Sequence, residues 1–321
     1  MTPRHVGLYE KGLLQSRTRR LENLLRSCRL CPRGCGINRS GGEEGFCGLD
    51  AHAVVNAALP HHGEEPVISG TRGAGTIFFS SCNLRCVYCQ NYQISHGIAG
   101  RRVDADELAG MMMRLQDQLC HNIEAVTAAP HLPVLMGALC RAVERGLRLP
   151  LVYNSGGYED ATIMEYLDGV VDVYLPDFKY GNDRDARALS DAGDYVSHAL
   201  ASIQAMVRQV GDGLETSDGV ASQGIIIRHL VLPGMTENSR EVLNLIKNKI
   251  SLSVPLSIMS QYTPTPAVKN HPVLGRRVTK AEYDRVVNEA LDMGFDCLFV
   301  QEVSEDALTP DFEKDEPFRW G

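Results

Sequence analysis

Short apolar runs alternate with longer amphipathic stretches between residues 71 and 302, a pattern typical of strand and helix units repeated around a parallel sheet. Capping-box spacing predicts helix starts at Asp104 and Thr279, and Gly146 and Gly294 suit helix ends. Six or more such units fit an open or closed β/α barrel of the α/β class, and a doubly wound sheet would give the same alternation. The pattern predicts strands at 76–80, 123–128, 149–153, 170–175, 224–232 and 256–261, with a seventh at 295–301.

The first 70 residues follow a different pattern. Leucines near one helical face predict an amphipathic helix at residues 13–25. Residues 28–48 are rich in Gly, Cys and Arg and show neither the strand nor the helix period, so no apolar face is available to hold them. We therefore predict an N-terminal helix with a small cysteine-rich metal-binding module over residues 1–70, a core barrel over 71–302, and an acidic tail over 303–321 that covers an edge or frays.

The chain carries 32 Lys and Arg against 40 Asp and Glu, a formal net charge of -8. This is the wrong sign for a protein that mainly binds phosphates, so we predict no nucleic-acid partner. The hydrophobic share of 44% excludes wholesale disorder. No apolar run approaches the roughly 18 residues of a membrane span, and the polar start lacks the apolar stretch of a signal peptide. We expect a cytoplasmic protein with no membrane partner.

Ten cysteines occur in the chain, and seven of them fall into two tight clusters. Clustered thiols in a reducing compartment favour metal binding over a disulfide framework. The first cluster has four cysteines and the second has three. They are Cys28, Cys31, Cys35 and Cys47, then Cys82, Cys86 and Cys89.

The second cluster directly follows the predicted strand at 76–80. Its three thiolates therefore leave a loop at the carboxyl end of that strand, where β/α barrels build their active sites. Three cysteines can hold three irons of a 4Fe-4S cluster and leave the fourth iron open to an exogenous ligand. The alternative is a structural zinc loop that borrows a fourth ligand such as His96.

The second cluster also has the CxxxCxxC spacing, with the aromatic Tyr88 just before the last cysteine. In this the chain resembles the radical S-adenosylmethionine (radical SAM) enzymes. The resemblance implies a partial (β/α)6 TIM-like barrel, a 4Fe-4S cluster on Cys82, Cys86 and Cys89, and Tyr88 as a cofactor-binding residue. It also implies a reductant such as flavodoxin or ferredoxin. The implied reaction is the reductive cleavage of S-adenosylmethionine to a 5'-deoxyadenosyl radical that abstracts hydrogen.

Five further blocks extend the resemblance over nearly the whole chain. They resemble the PflX type, a group of homologues of pyruvate formate-lyase activating enzyme, which implies a protein glycine as a candidate hydrogen donor. Radical modification of a small molecule or of another protein is the alternative enzyme function. A non-catalytic iron-sulfur electron carrier or zinc scaffold is the alternative of another class, but a carrier would normally saturate every iron with protein ligands. The blocks lie at residues 28–33, 73–80, 153–158, 174–180 and 228–234.

Polar residues at later strand ends are candidates for the cosubstrate pocket. By resemblance to the Asp-x-Lys residues of activating enzymes, Asp177 and Lys179 approach the ribose and the carboxylate of the cosubstrate, and the alternative is a surface ion pair. Asn154 and Ser155 could receive the methionyl amine or a small cation, or could serve the glycine turn that follows them. Arg228 could meet the cosubstrate or a substrate carboxylate, with burial in the barrel packing as the alternative.

Two positions depart from the family pattern. Residues 127–131 read Thr-Ala-Ala-Pro-His where the family would have Thr-Pro-Thr-His. A shift of one residue is therefore needed for this turn to receive the amino group of the cosubstrate. Ser81 stands where relatives often have Gly. Both changes concern pocket geometry more than reaction class, because the core cysteines are intact.

Two more groups are candidate metal sites. His61, His62, Glu64 and Glu65 lie between the two cysteine clusters and could be metal ligands or acid-base groups. The four cysteines between residues 28 and 47 would close the coordination of a second centre, which should be structural or electron-transferring. Zinc and iron-sulfur both suit such a set, and the absence of any metal is the remaining alternative.

Overall fold

The computed structural model describes residues 2–304, 309–314 and 316–318 of the chain. Within these residues the strands form one eight-stranded sheet and one three-stranded sheet. The central strands are fully buried, as the near-continuous apolar runs of a parallel sheet should be. The strands are Ala53–His61 (β1), Ala74–Phe79 (β2), Arg101–Val103 (β3), Ile123–Val126 (β4), Leu151–Ser155 (β5), Val173–Pro176 (β6), Leu214–Ser217 (β7), Val220–Ile225 (β8), Ile227–Leu230 (β9), Leu256–Met259 (β10) and Leu298–Val300 (β11).

Helices connect the successive parallel strands. The capping boxes predicted at Asp104 and Thr279 are both confirmed, because each of these side chains accepts from the backbone N–H three residues on, and the Glu side chain there accepts from the backbone N–H of the capping residue. Gly294 ends its helix in the left-handed conformation, as predicted. The helices are Arg4–Glu10 (α1), Leu13–Leu24 (α2), Pro66–Ser69 (α3), Tyr92–Ser95 (α4), Ala105–Asp117 (α5), Leu132–Glu144 (α6), Ala161–Met164 (α7), Asp183–Ser190 (α8), Tyr195–Val210 (α9), Thr236–Lys249 (α10) and Lys280–Met293 (α11).

The parallel strands follow one another in space in the order in which they occur in the chain. Strands β2, β4, β5 and β6 are neighbours, and β9, β10 and β11 form the continuation. A bridge between Asp177 and Arg228 carries the pairing from β6 to β9. A doubly wound sheet would reverse its order at a switch point. The fold is therefore the predicted partial β/α barrel, and no strand pairing among the described residues joins β11 back to β2.

All seven predicted strands are present, with their ends displaced by a few residues. The strand predicted at 224–232 is two segments, β8 and β9, which begin at Val220 and are interrupted at Ile226. The sequence pattern does not predict the antiparallel strands at the sheet edges: β1 and β3 extend the sheet beyond β2, and β7 pairs with β8. Because β1 pairs with β2, the central sheet extends into the segment assigned to the N-terminal module.

The N-terminal helices pack on the barrel. The helix predicted at residues 13–25 is confirmed as α2, followed by a single 3-10 turn. Leu14 and Leu21 of α2 are buried in the main hydrophobic core, which also contains much of α6. Among the helices described, none combines the length and the apolar character that crossing a membrane would take.

The described part of the C-terminal tail lies over the carboxyl ends of the central strands. Phe312 is buried against Phe78, Ile94 and Val126. Pro310 and Pro317 are buried as well, whereas the charged residues between them are exposed or half-buried where they are described. The tail therefore presents its apolar residues to the barrel and its charged residues to solvent.

Candidate active site

A cavity of about 570 Å³ opens at the carboxyl ends of the parallel strands. Its walls come from these strand ends, from the loop after β2 and from the C-terminal tail. The three cysteines of the second cluster and six residues predicted to bind the cosubstrate or the cofactor line this one cavity. These residues are Cys82, Cys86, Tyr88, Cys89, Asn154, Ser155, Asp177, Lys179 and Arg228.

The three thiols of the loop after β2 each have a hydrogen-bond donor at the sulfur atom. Burial raises the pKa of all three, that of Cys86 to about 11. Donors aimed at sulfur stabilise a thiolate, so this donor set fits the three protein ligands of a 4Fe-4S cluster. The contacts are the Leu84 backbone N–H to Cys82 Sγ at 3.3 Å, Ser190 Oγ to Cys86 Sγ at 2.9 Å and Ser95 Oγ to Cys89 Sγ at 3.2 Å.

The thiols share a cavity without forming a ready-made metal site. Across residues 2–304, 309–314 and 316–318, no group of three or more His, Cys, Asp or Glu side chains stands in an arrangement that could hold a metal ion. The fold brings the sulfur atoms of the three cysteines to the same cavity.

The backbone before the first of these cysteines has an unusual conformation. Ser81 has a φ of +74°, in the left-handed region that favours the glycine expected at this position. Its hydroxyl donates to the Cys47 carbonyl and so ties the loop to the N-terminal cysteine segment. His131 holds the preceding residue, because its Nε2 lies 2.8 Å from the Ser80 carbonyl oxygen and its ring stacks on Phe79.

The turn after β4 has one end at the cavity and the other end in the core. Thr127 lines the cavity, with a φ of +61°. His131 is fully buried and does not line the cavity. Burial lowers its pKa to about 3, so the ring is neutral and Nε2 donates to the Ser80 carbonyl. His131 therefore positions the end of β2 and does not reach the cosubstrate pocket.

Tyr88 fixes the middle of the cysteine loop by packing. Its ring is buried, with its centre 6.4 Å from that of Tyr180 and 6.2 Å from that of Tyr262. The loop after β10 adds a hydrogen bond of 2.6 Å from Thr265 Oγ1 to the Val87 carbonyl. The segment between the second and third thiols is therefore held by elements from the far end of the barrel.

Asp177 and Lys179 form an ion pair on the cavity wall. Burial alone would lower the pKa of Lys179, but the Asp177 carboxylate outweighs it and holds the pKa well above its usual value. Their side chains are 22% and 18% exposed, so the pair is not the surface pair considered as the alternative. The Tyr195 hydroxyl accepts from the Lys179 backbone N–H at 2.9 Å and so fixes the start of this segment.

Asn154 and Ser155 stand at the end of β5, as predicted. The Asn154 amide nitrogen donates to Glu124 Oε1 at 2.8 Å, and Thr76 Oγ1 lies 2.6 Å from Glu124 Oε2. Ser155 Oγ receives only a long contact of 3.4 Å from the Gly157 backbone N–H. The Ser155 hydroxyl therefore keeps hydrogen-bonding capacity for a ligand.

Arg228 is engaged by two carboxylates of the protein. Its guanidinium donates to both oxygens of Glu65 and to Glu64. His61 lies beside this group, with its Nε2 3.6 Å from Glu64 Oε1. The segment considered for metal binding or acid-base chemistry thus supplies the partners of a buried arginine.

The four N-terminal cysteines line a second, small cavity beside the first. Asn83 lines it as well and follows Cys82 directly in the chain. Arg33 donates to the Asn83 carbonyl at 2.9 Å, and Arg85 donates to the Phe46 carbonyl at 2.7 Å. Both guanidinium groups lie over the Phe46 ring, at 3.8 and 4.8 Å from its centre. The cysteines brought together here are Cys28, Cys31, Cys35 and Cys47.

Residues 76–246 match the Radical SAM superfamily, more than half of the chain. The chain therefore belongs to this superfamily. Its members are enzymes that catalyse radical reactions, and they use a 4Fe-4S cluster and S-adenosylmethionine. The matched region begins within strand β2, and the thiol loop follows that strand directly.

Similar proteins include two curated relatives and one solved structure. The chain is 28% identical over 301 residues to an uncharacterized protein of Methanocaldococcus jannaschii, which covers 90% of this chain and 81% of that protein. It is 25% identical over 185 residues to the pyruvate formate-lyase-activating enzyme of Clostridium pasteurianum, with coverage of 54% and 68%. The crystal structure of Streptococcus suis SuiB bound to precursor peptide SuiA shares 10% identity at a TM-score of 0.47, covering 69% of this chain and 47% of SuiB.

Sequence patterns do not reveal several residues of the site. Glu124 lies inside the apolar strand β4. The one signal in the sequence that could have identified it is its own acidic side chain among positions predicted to be buried. Ser95 and Ser190 contact the thiols from two different helices. The C-terminal tail lines the cavity although its composition suggests a solvent-exposed segment.

Ser81 provides a test of the loop geometry. Ser81→Ala keeps the left-handed strain and loses the hydroxyl, whereas Ser81→Gly loses the hydroxyl and relieves the strain. We expect the Gly variant to be more stable than the Ala variant by about 1 kcal/mol. Chemical unfolding of the anaerobic protein measures the difference.

The matched control is Ser222 in strand β8. There we expect the Ser222→Gly protein to be less stable than the Ser222→Ala protein. An Ala variant at position 81 that is as stable as the Gly variant would contradict the assigned strain.

Glu124 provides a test by pH. Burial, with a contribution from the charge of Glu64, raises its pKa to about 8. The folded protein therefore keeps a proton that the unfolded chain loses above its ordinary pKa of about 4.3, so this stabilisation disappears as the pH rises toward 8. In wild type the free energy of unfolding should therefore decline between pH 5 and 8. Glu124→Gln should reduce this decline by up to about 1.4 kcal/mol per pH unit, as measured by urea unfolding. The exposed Glu22→Gln serves as control, and an equal slope in wild type and Glu124→Gln refutes the prediction.

Proposed function

We propose that this chain is an activating-enzyme-like radical SAM oxidoreductase that abstracts a hydrogen atom from a protein glycine. One observation carries the proposal: a single cavity combines three thiols with polar groups suited to S-adenosylmethionine. Three protein thiolates leave one iron of a 4Fe-4S cluster open to the cosubstrate. A non-catalytic electron carrier or a zinc scaffold has no use for that open position.

In this proposal Cys82, Cys86 and Cys89 bind the 4Fe-4S cluster. When bound, the cluster and S-adenosylmethionine supply a 5'-deoxyadenosyl radical after one electron arrives from a reductant of the flavodoxin or ferredoxin class. The residues of this chain hold the thiolates, orient the cosubstrate and exclude water. Buried Tyr88 keeps the loop in place beside the cofactor. A cytoplasmic location would keep the thiols and the cluster reduced.

Asp177 and Lys179 are proposed to bind the two polar ends of the cosubstrate. The carboxylate of Asp177 suits the ribose hydroxyls, and the ammonium of Lys179 suits the cosubstrate carboxylate. Asn154 and Ser155 offer side-chain oxygens to the methionyl amine, since the Asn154 amide nitrogen already donates to Glu124. These residues stand at the ends of neighbouring strands, so they can act on one molecule.

Arg228 has a different place in the proposal. Because its guanidinium is engaged by Glu64 and Glu65, it acts as a positioning residue that fixes Glu64 on the cavity wall. A direct contact with the cosubstrate or a substrate carboxylate would require one of these pairs to open, at the cost of leaving a charge without its partner.

Similarity to an activating enzyme over half of the chain supports the protein glycine as hydrogen donor, as do the sequence blocks of the PflX type. A hydrogen atom would move from the glycine Cα to the 5' carbon, giving 5'-deoxyadenosine and leaving a carbon radical on the substrate. Radical modification of a small molecule or of another protein would use the same residues and is the alternative.

We also propose a second metal centre, zinc or iron-sulfur, on Cys28, Cys31, Cys35 and Cys47. All four line one small cavity, and no apolar periodicity organises this segment. Gly36 and Gly42, with φ of +69° and +89°, let the chain fold back between the cysteines. Four thiolates close the coordination, so the centre would be structural or electron-transferring.

The 4Fe-4S site proposed on the second cysteine cluster is tested by single replacements. Cys82→Ala, Cys86→Ala and Cys89→Ala should each abolish 5'-deoxyadenosine formation, because a cluster iron without its thiolate is lost or changes its open site. The measurement is anaerobic incubation with dithionite and S-adenosylmethionine. Cys140→Ala removes a buried thiol outside both clusters and should leave the activity unchanged. Circular dichroism should show folded barrels throughout, and wild-type cleavage in any of the three variants refutes the assignment.

The second centre is tested by Cys31→Ser. This variant should lose the metal of this centre, which is one zinc or the irons of one cluster, and residues 28–48 should become sensitive to protease while the barrel survives, since metal affinity supplies the folding energy of this segment. Elemental analysis and limited proteolysis measure the two effects, and Cys297→Ser removes an exposed thiol as the control. Iron near four per chain without zinc, unchanged in Cys31→Ser, would leave the N-terminal cysteines without a metal.

A further inference from the structure

The C-terminal tail forms part of the wall of the cavity at the proposed active site. Residues 309–311 and 316–318 line the cavity together with the three thiols. Two aromatic rings anchor the tail. Phe312 is 6% exposed and packs edge-on against Phe78 with ring centres 5.3 Å apart. Phe318 lies 5.2 Å from the Phe78 ring and 4.3 Å from the His61 ring.

The surface that receives the tail belongs to the elements that carry the thiols. Phe78 stands near the end of β2, Gln93 and Ile94 belong to the short helix α4 after Cys89, and Val126 ends β4. We name the surface formed by Phe78, Gln93, Ile94 and Val126 the Phe78 groove. Any segment bound in this groove lies next to the proposed radical chemistry.

The groove contacts the backbone of the tail as well as its rings. Gln93 Oε1 accepts from the Phe312 backbone N–H at 2.8 Å, and Gln93 Nε2 donates to Asp311 Oδ1 at 3.2 Å. The Asp311 backbone N–H donates to the Pro317 carbonyl at 2.9 Å, which closes the segment into a loop. Backbone hydrogen bonds together with side-chain pockets are a general mode of peptide recognition.

The tail contacts the Phe78 groove through a small number of residues. Glu313, Lys314 and Glu316 are exposed, so the hold of the tail on the barrel rests mainly on its aromatic and proline residues. A segment that presents an aromatic ring to Phe78 and a backbone N–H to Gln93 could replace the tail contact for contact.

We propose that the Phe78 groove is the docking site for a peptide segment of a substrate protein, and that residues 309–314 and 316–318 occupy it in the free enzyme. This inference rests on the proposed function and names the form in which the substrate enters. The required chemistry is a peptide loop with an aromatic residue at the position of Phe312 and a second aromatic residue near His61.

Binding of a labelled peptide tests the groove without catalysis. The probe is a fluorescein-labelled peptide with the sequence of residues 309–318, added to the full-length holoenzyme without reductant or cosubstrate. A tethered tail competes at a high effective concentration, so removing a tail anchor should open the groove. Fluorescence anisotropy should show the peptide binding Phe312→Ala at least ~10-fold more tightly than wild type.

Three comparisons sharpen this binding test. Phe318→Ala is a second opening variant and should also bind more tightly than wild type, whereas Glu313→Ala changes an exposed tail residue and should match wild type. A peptide with Ala in place of its Phe312 equivalent should bind Phe312→Ala at least ~10-fold more weakly than the original peptide. Equal affinity for all four proteins, no binding to either Phe variant, or equal affinity of the two peptides overturns the proposal.

Deuterium transfer tests the link to the substrate. Lys314 lines the cavity, so the peptide is made with α-deuterated glycine at that position and added to Phe312→Ala holoenzyme with reductant and S-adenosylmethionine. Mass spectrometry should find one deuterium atom moved from the glycine Cα to the 5' carbon of 5'-deoxyadenosine. 5'-Deoxyadenosine without deuterium overturns the docking role. Complete absence of 5'-deoxyadenosine contradicts the proposed function instead. The binding test of the groove does not depend on that result, because it uses neither reductant nor cosubstrate.

Discussion

The site depends on how the chain leaves strand β2. The strand is buried over all six residues, so the sheet fixes its direction, and the cysteine loop has to begin with Ser81 in the left-handed region. His131 holds this exit from the barrel side, and the Cys47 carbonyl holds it from the N-terminal segment. The loop that turns in this way places its thiols in one cavity with the polar residues at the ends of β5 and β6.

The N-terminal cysteine segment packs directly against the cysteine loop after β2, so the conformational order of one segment affects that of the other. Asn83 lines the small cavity of the N-terminal thiols and neighbours the first thiol of the barrel loop. The Phe46 ring lies between Arg33 of one segment and Arg85 of the other. A segment with no apolar core gains its order from such contacts and from any metal it binds. The barrel loop in turn loses part of its support when the N-terminal segment is disordered.

Sequence patterns predict the barrel and the cavity because both follow from local signals. Parallel strands buried on both faces leave apolar runs, and ligand spacing marks the thiol loop. Strand β7 leaves no such signal because most of its residues are exposed at a sheet edge. The partners of Arg228 lie 163 and 164 residues away in the chain, and Gln93 and Phe312 are 219 residues apart. Contacts at such separations are set by the closed fold and have no local pattern.

Charge pairing inside the cavity limits what the polar residues can contribute to cosubstrate binding. Asp177 is paired with Lys179, and Arg228 with two glutamates, because buried charges need partners in the free protein. An incoming ligand therefore exchanges partners and gains only the difference between similar contacts. In the proposed function the larger gain would come from coordination of the cosubstrate at the iron that three thiolates leave open and from the apolar surface buried in the cavity. In the proposed function the polar pairs would then mainly orient the cosubstrate, and the open iron held by the three thiolates would retain it.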